Sequence, residues 1–188
     1  MFSSAAATDG WRSKVMAIYA LGDMVPEIHP DAWVHPEAVV IGDVTIGADS
    51  TIWPCAVLRG DNGGIRIGER TSIQDGTVIH CIPTRPTIVG DDCVIGHIVH
   101  LEGCTIESKS LVGNGSVVLH EAIVRTGSLV GSNAVVPNRM EVPTGMMALG
   151  IPAKLREVGP NQAFIQEIAV RDYAERGKFY KAEMRRID

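Results

Sequence analysis

Aliphatic side chains recur at every sixth position over most of this chain. From Ile106 the series runs through Val112, Val118, Val124, Val130, Val136 and Val142 without a gap. An earlier series runs Ile28, Val34, Val40, Ile46, Ile52, Leu58, and a middle one Ile67, Ile73, Ile79. The fourth residue after each aliphatic is usually small or β-branched, as at Ala38, Ser50, Ala56, Thr71, Ser110, Ser116, Ala122, Ser128 and Ala134. A fixed short period is the mark of a solenoid, and a six-residue period predicts a parallel β-helix. Each hexad supplies one strand and one corner, and three hexads complete a triangular coil. Gly, Asn and Asp recur where corners need tight turns or positive φ, at Gly42-Asp43, Gly47, Gly113-Asn114 and Gly131-Ser132-Asn133. Such coils wind left-handed, an exception to the right-handed crossover rule. The predicted fold is an all-β, left-handed parallel β-helix over residues 28–149, closed by a C-terminal α-helix.

The flanks break this pattern. Residues 1–27 read as an N-terminal extension and lead-in with a short strand near Ala17–Leu21. Residues 150–188 form a C-terminal helical segment: Gly150-Ile151-Pro152-Ala153-Lys154 stops the β pattern, and a helix is predicted from about Asn161 to Ile187. Pro160 suits a helix start. Phe164, Ile165, Ile168 and Ala169 fall at helical spacing and give one apolar stripe. Gly177 is expected to weaken or kink the helix by roughly 1 kcal/mol relative to alanine. Tyr173 and Tyr180 are candidates for a lesser active-site part, although covering the solenoid is the simpler role for this helix.

Inside the repeat the period breaks twice. An insertion occupies Cys81–Thr87, and one residue is missing between Leu101 and Ile106. Solenoids tend to carry insertions on the functional face.

Composition narrows the partners. Only 5% of the 188 residues are aromatic, too few for an ordinary globular core but enough for a narrow interior of stacked Val, Ile and Leu. A net charge of −5 without any Lys/Arg run argues against nucleic acid. No apolar stretch reaches the roughly 18 residues of a membrane span. The first fifteen residues have no apolar h-region, so no secretory signal is expected there, and Met16 offers an alternative start. Cys55, Cys81, Cys93 and Cys104 show no C-x-x-C spacing and read as reduced thiols of a cytoplasmic protein.

The hexad frame also juxtaposes chemistry. Leu101 stands one full coil after Ile79, and the residue after each aliphatic points outward. His80 and Glu102 are therefore expected to stack on one outer face about 4.8 Å apart in backbone terms. Two such side chains can share a metal with bonds of roughly 2.0–2.2 Å. His97 and His100 are expected on the preceding face, near its corner, so that a neighbouring subunit would complete the set.

Arg59-Gly60-Asp61, Ile73-Gln74-Asp75 followed by His80, and Gly96-His97 followed by Gly103-Cys104 resemble the motifs of the γ-class carbonic anhydrases and their hexapeptide-repeat relatives. The resemblance covers about Ile28 to Leu155. It implies a homotrimer with sites at the subunit interfaces, each holding zinc (or iron, or cobalt) on three histidines, two from one chain and one from its neighbour. It implies that His80 is a same-chain ligand and His97 the ligand offered across the interface. Arg59 and Asp61 would make ion pairs between subunits that order the site. Gln74 and Asp75 would orient the metal-bound water, and the metal-bound hydroxide would attack carbon dioxide or a similar small electrophile in a lyase or hydrolase reaction.

One position departs from the family. Its third histidine, five residues after the second, is Glu102 here, while His100 appears two residues earlier. Glu102 is one candidate ligand, giving the His2Glu set known for catalytic zinc and, in related form, for non-haem iron. His100 is the other, with Glu102 behind it or moving protons. A chain that binds no metal is the third reading. The Cys81–Thr87 insertion holds no acid that could shuttle protons, which argues against fast hydration.

Simpler readings stand beside these. His29 and His35, at corners before proline, read as structural, and His120 as surface decoration near the His80 face. Arg59 and Asp61 are also explained as a trimer-building ion pair alone. Cys104 reads as a small core residue and Cys81 as a candidate reactive thiol. Two rival functions remain. One is a hexapeptide acyltransferase using an acyl-coenzyme A donor, with His80 or His120 as general base. The other is a non-catalytic trimeric scaffold.

Overall fold

The computed structural model describes residues 17–187, with helix side chains from Ile168, Ala169 and residues 171–183. Met16 and the extension before it lie outside these residues, as do the Phe164 and Ile165 side chains. The rest is a parallel β-helix of short strands. Their register shows how the six-residue period makes a core. On one face Ile52, Ile73, Ile95, Val112, Val130 and Ala148 align rung upon rung. On the second, Leu58, Ile79, Leu101, Val118 and Val136 align. On the third, Ile46, Ile67, Val89, Ile106, Val124 and Val142 do so. All are buried. The three columns meet along the axis, where β-branched residues interdigitate without aromatic bulk.

The small residue of each hexad sits at the inner corner, and its hydroxyl, where present, ties one coil to the next. Ser50 donates to the Gly68 carbonyl at 2.7 Å, Thr71 to Gly90 at 2.7 Å and Ser116 to Gly131 at 2.8 Å. These bonds satisfy buried polar atoms in place. At Gly47 the constraint is crowding: a Cβ there would stand 2.6 Å from the Gly68 backbone.

The period has a third break besides the two read from the sequence. Strands Val39–Ile46 and Val57–Ile67 each run continuously round a corner, and between the pairs Gly42–Gly60 and Val44–Ile65 their register shifts. Asp61, Asn62, Gly63 and Gly64 there oppose Asp43 alone. The expected insertion is a tight turn, with Arg85 N–H donating to the Ile82 carbonyl at 2.9 Å.

Gly150–Lys154 does not end the β structure. Strand Lys154–Glu157 turns back antiparallel on Met146–Leu149 before helix Pro160–Glu183 begins. That helix lies across strands Trp33–Val34, Thr51–Ile52, Ser72–Ile73 and Val94–Ile95. The helix continues unbroken through Gly177, which is buried, and a Cβ on it would meet Thr51 Cγ2 at 2.3 Å. Tyr173 and Tyr180 belong to an edge-to-face aromatic cluster with Trp33 and Trp53, at centroid distances of 5.1–6.0 Å. Their role is to seat the helix, on a different face from His80. Among the described residues no helix is long and apolar enough to cross a membrane.

Candidate functional site

The second face carries a polar column. Arg59, His80 and Glu102 stand in register on consecutive rungs, pointing outward because Leu58, Ile79 and Leu101 point inward. Glu102 Oε1 lies 2.8 Å from His80 Nδ1. The other ring nitrogen, Nε2, lies 2.8 Å from Asp61 Oδ1. Asp61 reaches that point because the four-residue bulge lifts it out of the strand, and its second oxygen pairs with Arg59. Two carboxylates thus flank the two nitrogens of one ring, and the ring can donate to both at once only as an imidazolium.

Local tethers hold this end of the face. Thr87, at the end of the insertion, donates to the His80 carbonyl and accepts from Gly103 N–H at 2.8 Å. His80 and Glu102 side chains are accordingly well covered, 14% and 23% exposed.

Electrostatics keep both acids ionised. The hydrogen bond from His80 first, then the His120 and His100 imidazoles that face its other oxygen, hold the Glu102 carboxyl below its ordinary value against the cost of burial. For Asp61 burial pulls the other way most strongly, but hydrogen bonds and charge from His80 and Arg59 together outweigh it and leave the carboxyl lowered.

Two histidines stand elsewhere than the sequence suggested. His100 is on the same strand as Glu102, His100–Glu102, not on the preceding face, and its Nε2 is 3.5 Å from Glu102 Oε2. Alternation explains this, since Leu101 points inward and both flanking residues outward. His120 is no surface decoration. Its Nε2 is sealed from water and faces Glu102 Oε2 at 3.2 Å, off the line of an ordinary hydrogen bond. Spacing alone gave only its neighbourhood, because Val118 is the rung partner of Leu101, so that Leu119 falls opposite Glu102 and His120 one residue further on, beside Gly103; what was missing was the turn Ile82–Arg85 beside it. Ile82 Cγ1, Arg85 Cβ and His120 Cδ2 all crowd the α-carbon face of Gly103.

Gln74, Asp75 and His97 form a separate group, at the corner that precedes this face. Gln74 is buried. Asp75 does not point at His80; it pairs with His97 Nδ1 at 2.8 Å, one coil along. That contact leaves His97 Nε2 as the ring's other nitrogen. His97 and Asp75 are both nearly half exposed. His35 Nδ1 accepts from Glu37 N–H at 3.1 Å and His29 Nδ1 from Asp31 N–H at 3.1 Å, so both close corners. Burial holds the His35 ring below its ordinary value.

Cys81 and Cys104 are buried in the core, and burial pushes the Cys104 thiol up to about 12. Buried as they are, neither is open to reagents from solvent. Among the described residues no three His, Cys, Asp or Glu side chains of one chain are placed to hold a metal. The donor chemistry nevertheless fits half a site. His80 and Glu102 supply an imidazole and an ionised carboxylate within contact of one another, and one imidazole from outside the chain would complete a His2Glu set.

Comparisons with known proteins agree with this architecture. Residues 26–60 match the family model described as bacterial transferase hexapeptide (six repeats). A carbonic anhydrase of Geobacillus kaustophilus is 38% identical over 166 residues, covering 88% of this chain and 91% of the relative. The mitochondrial gamma carbonic anhydrase 2 of Arabidopsis thaliana is 33% identical, with 86% of this chain and 60% of the longer relative aligned. The carnitine operon protein CaiE of a Proteus species is 37% identical over 85% of this chain and 82% of its own. A hexapeptide transferase family protein from Anaplasma phagocytophilum has the same fold, with a TM-score of 0.84, 31% identity, and 88% of this chain and 98% of that one covered. With relatives this similar over nearly its whole length, and with the repeat and its register in place, the chain belongs to the γ-class carbonic anhydrase-like family of hexapeptide-repeat proteins.

Proposed function

We propose that this protein is a metal-dependent enzyme of the γ-carbonic anhydrase type, assembled as a homotrimer with one site at each subunit interface. The observation that carries the reading is the in-register pair His80–Glu102, with Oε1 and Nδ1 2.8 Å apart. These two residues would hold a divalent zinc, iron or cobalt ion from one chain, and His97 Nε2 of a second copy would complete the set. Asp75 would fix the His97 ring through Nδ1, as an outer carboxylate does for a ligating imidazole. Bound there, the metal supplies acidified water as a nucleophile near neutral pH.

The chain's own residues do the rest. Arg59 neutralises Asp61, and Asp61 turns the His80 ring. The buried Gln74, at the corner that bears Asp75, offers an amide to orient the attacking group. Glu102 stays ionised under its histidine contacts and keeps its place as a ligand. The substrate is a small electrophile, carbon dioxide or one similar to it. The four free thiols suit a reducing compartment, and we assign the protein to the cytoplasm.

A second reading has support of its own. An imidazole sealed from water beside a carboxylate, as His120 stands beside Glu102, is the arrangement of a general base, and the Anaplasma relative is described as a transferase. Stopped-flow carbon dioxide hydration on zinc- and iron-loaded protein, run beside acetyl-coenzyme A titration calorimetry, separates the two. Hydration above buffer that disappears in Glu102→Gln, with no heat from acetyl-coenzyme A, is expected. Coenzyme binding without hydration would replace the metalloenzyme reading by an acyltransferase one.

A further inference from the structure

We infer that His120 is a positioning residue that locks the Glu102 carboxylate for metal binding, an inference that rests on the proposed ligand role of Glu102. A glutamate is a poorly directed ligand on its own, because its terminal torsion is broad and either oxygen can turn outward. To present one oxygen in a fixed direction, the other must be anchored. Glu102 has that anchor. Oε1 stands at His80 and Oε2 faces His120 Nε2 at 3.2 Å. His100 Nε2 is farther, at 3.5 Å, and contributes charge rather than a directed bond.

The anchor is built into the coil. The His120 carbonyl accepts from Arg139 N–H at 3.0 Å on the next coil, and Glu121 N–H donates to the Gly103 carbonyl at 2.7 Å on the previous one. Arg85 then bridges from the insertion to Glu121 at 2.7 Å, drawing the turn Ile82–Arg85 over the imidazole. The same Glu121 carboxylate takes Arg139 at 3.3 Å. His120 Nε2 consequently has no access to water, and Glu102 is what it faces. A ring nitrogen buried without an ordinary partner is costly in either tautomer. Its persistence beside a carboxylate that must keep one orientation gives it a purpose.

The test combines metal affinity with a readout on metal-free protein. Zinc affinity is measured by competition with a chromophoric chelator for wild type, His120→Ala and His120→Gln, and for the alanine variant in a Glu102→His background. His120→Ala is expected to weaken zinc roughly 10–100-fold, the usual loss when a residue that orients a ligand is removed. His120→Gln, which keeps an N–H near the Nε2 position, is expected to recover most of that loss. With Glu102→His in place there is no carboxylate to lock, and removing His120 is expected to change affinity by no more than about twofold. Side-chain nitrogen NMR of metal-free protein is expected to show a proton on His120 Nε2 and a shift of that signal in Glu102→Gln.

Unchanged zinc affinity in His120→Ala overturns the inference. An equal loss in the Glu102→His background does so too, since it marks a general packing role. Complete loss of metal, equal to that of His80→Ala, would make His120 a ligand rather than a positioning residue. If the wild-type protein takes up no metal, the functional reading falls by itself. The nitrogen spectrum then still decides the contact, and a proton on Nδ1 alone, or a signal indifferent to Glu102→Gln, rejects it.

Discussion

His80 and Glu102 face one another across consecutive coils of one face, backbone partners in the ladder with Nδ1 and Oε1 2.8 Å apart. Neighbouring rungs lie about 4.8 Å apart, close enough for both side chains to reach one ion. His100 shares the strand but stands 3.5 Å from Glu102 and is paired with Val78 and Val117, outside the Arg59–His80–Glu102 column. Glu102→Gln is therefore expected to lose most bound metal, while His100→Ala retains it. Metal analysis of the two purified variants checks this, and the reverse pattern would hand the ligand role to His100.

Gly177 tests how the helix is seated. Replacing it with alanine should add roughly 1 kcal/mol of helix propensity. The new Cβ would meet Thr51 Cγ2 at 2.3 Å, and overpacking of that kind costs about 1–3 kcal/mol. Gly177→Ala is expected to lower the melting temperature, and adding Thr51→Ser, which removes Cγ2 but keeps the hydroxyl that accepts from Trp53 Nε1 at 3.0 Å, should restore it. A single variant more stable than wild type would show that the helix does not rest on Thr51.

The thiols should divide sharply. Cys55 is exposed, whereas Cys81, Cys93 and Cys104 are buried, and burial pushes Cys93 and Cys104 up to about 12. Thiol titration of native protein near neutral pH is expected to modify Cys55 alone, with the other three reacting after denaturation. Rapid native labelling of Cys81 would revive it as a reactive group.

The Arg125 ladder gives a pH dependence of known sign. Hydrogen bonds from Arg125 hold Glu107 and Glu141 below their ordinary value of 4.5. Carboxyls lowered in the folded state stabilise it above 4.5, and this contribution is lost as the pH falls through the lowered folded values. Both pairs are solvent-facing, so the effect should be modest and shrink with salt. Urea midpoints of wild type and Arg125→Gln are expected to differ at neutral pH and to converge in acid. A difference that grows in acid would contradict the pairing.

The six-residue period made the core legible position by position, because in a solenoid every inward side chain meets only its rung neighbours. It also placed Glu102 opposite His80. What it hid came from irregular backbone. The bulge at Asp61–Gly64 shows in the sequence only as a nine-residue step from Leu58 to Ile67, and nothing in that step says that it brings Asp61 over the ring of His80. The cover over His120 depends on a turn whose closing pair, Arg85–Glu121, spans two coils. Gly177 looked like a helix breaker because propensity carries no knowledge of Thr51. Lys154–Glu157 escaped notice because a hairpin strand exposed along its whole length carries no hexad pattern.

The most direct measurement is metal content in co-expressed subunits carrying His80→Ala and His97→Ala. Each variant alone should be nearly metal-free. In a randomly mixed trimer, an interface at which an intact His97 meets an intact His80–Glu102 pair arises for about a quarter of sites, because head-to-tail interfaces draw each half from a different chain. Recovery of about a quarter of the wild-type metal is the expected result. Metal retained in His97→Ala alone, or no recovery on mixing, would contradict a site shared between subunits.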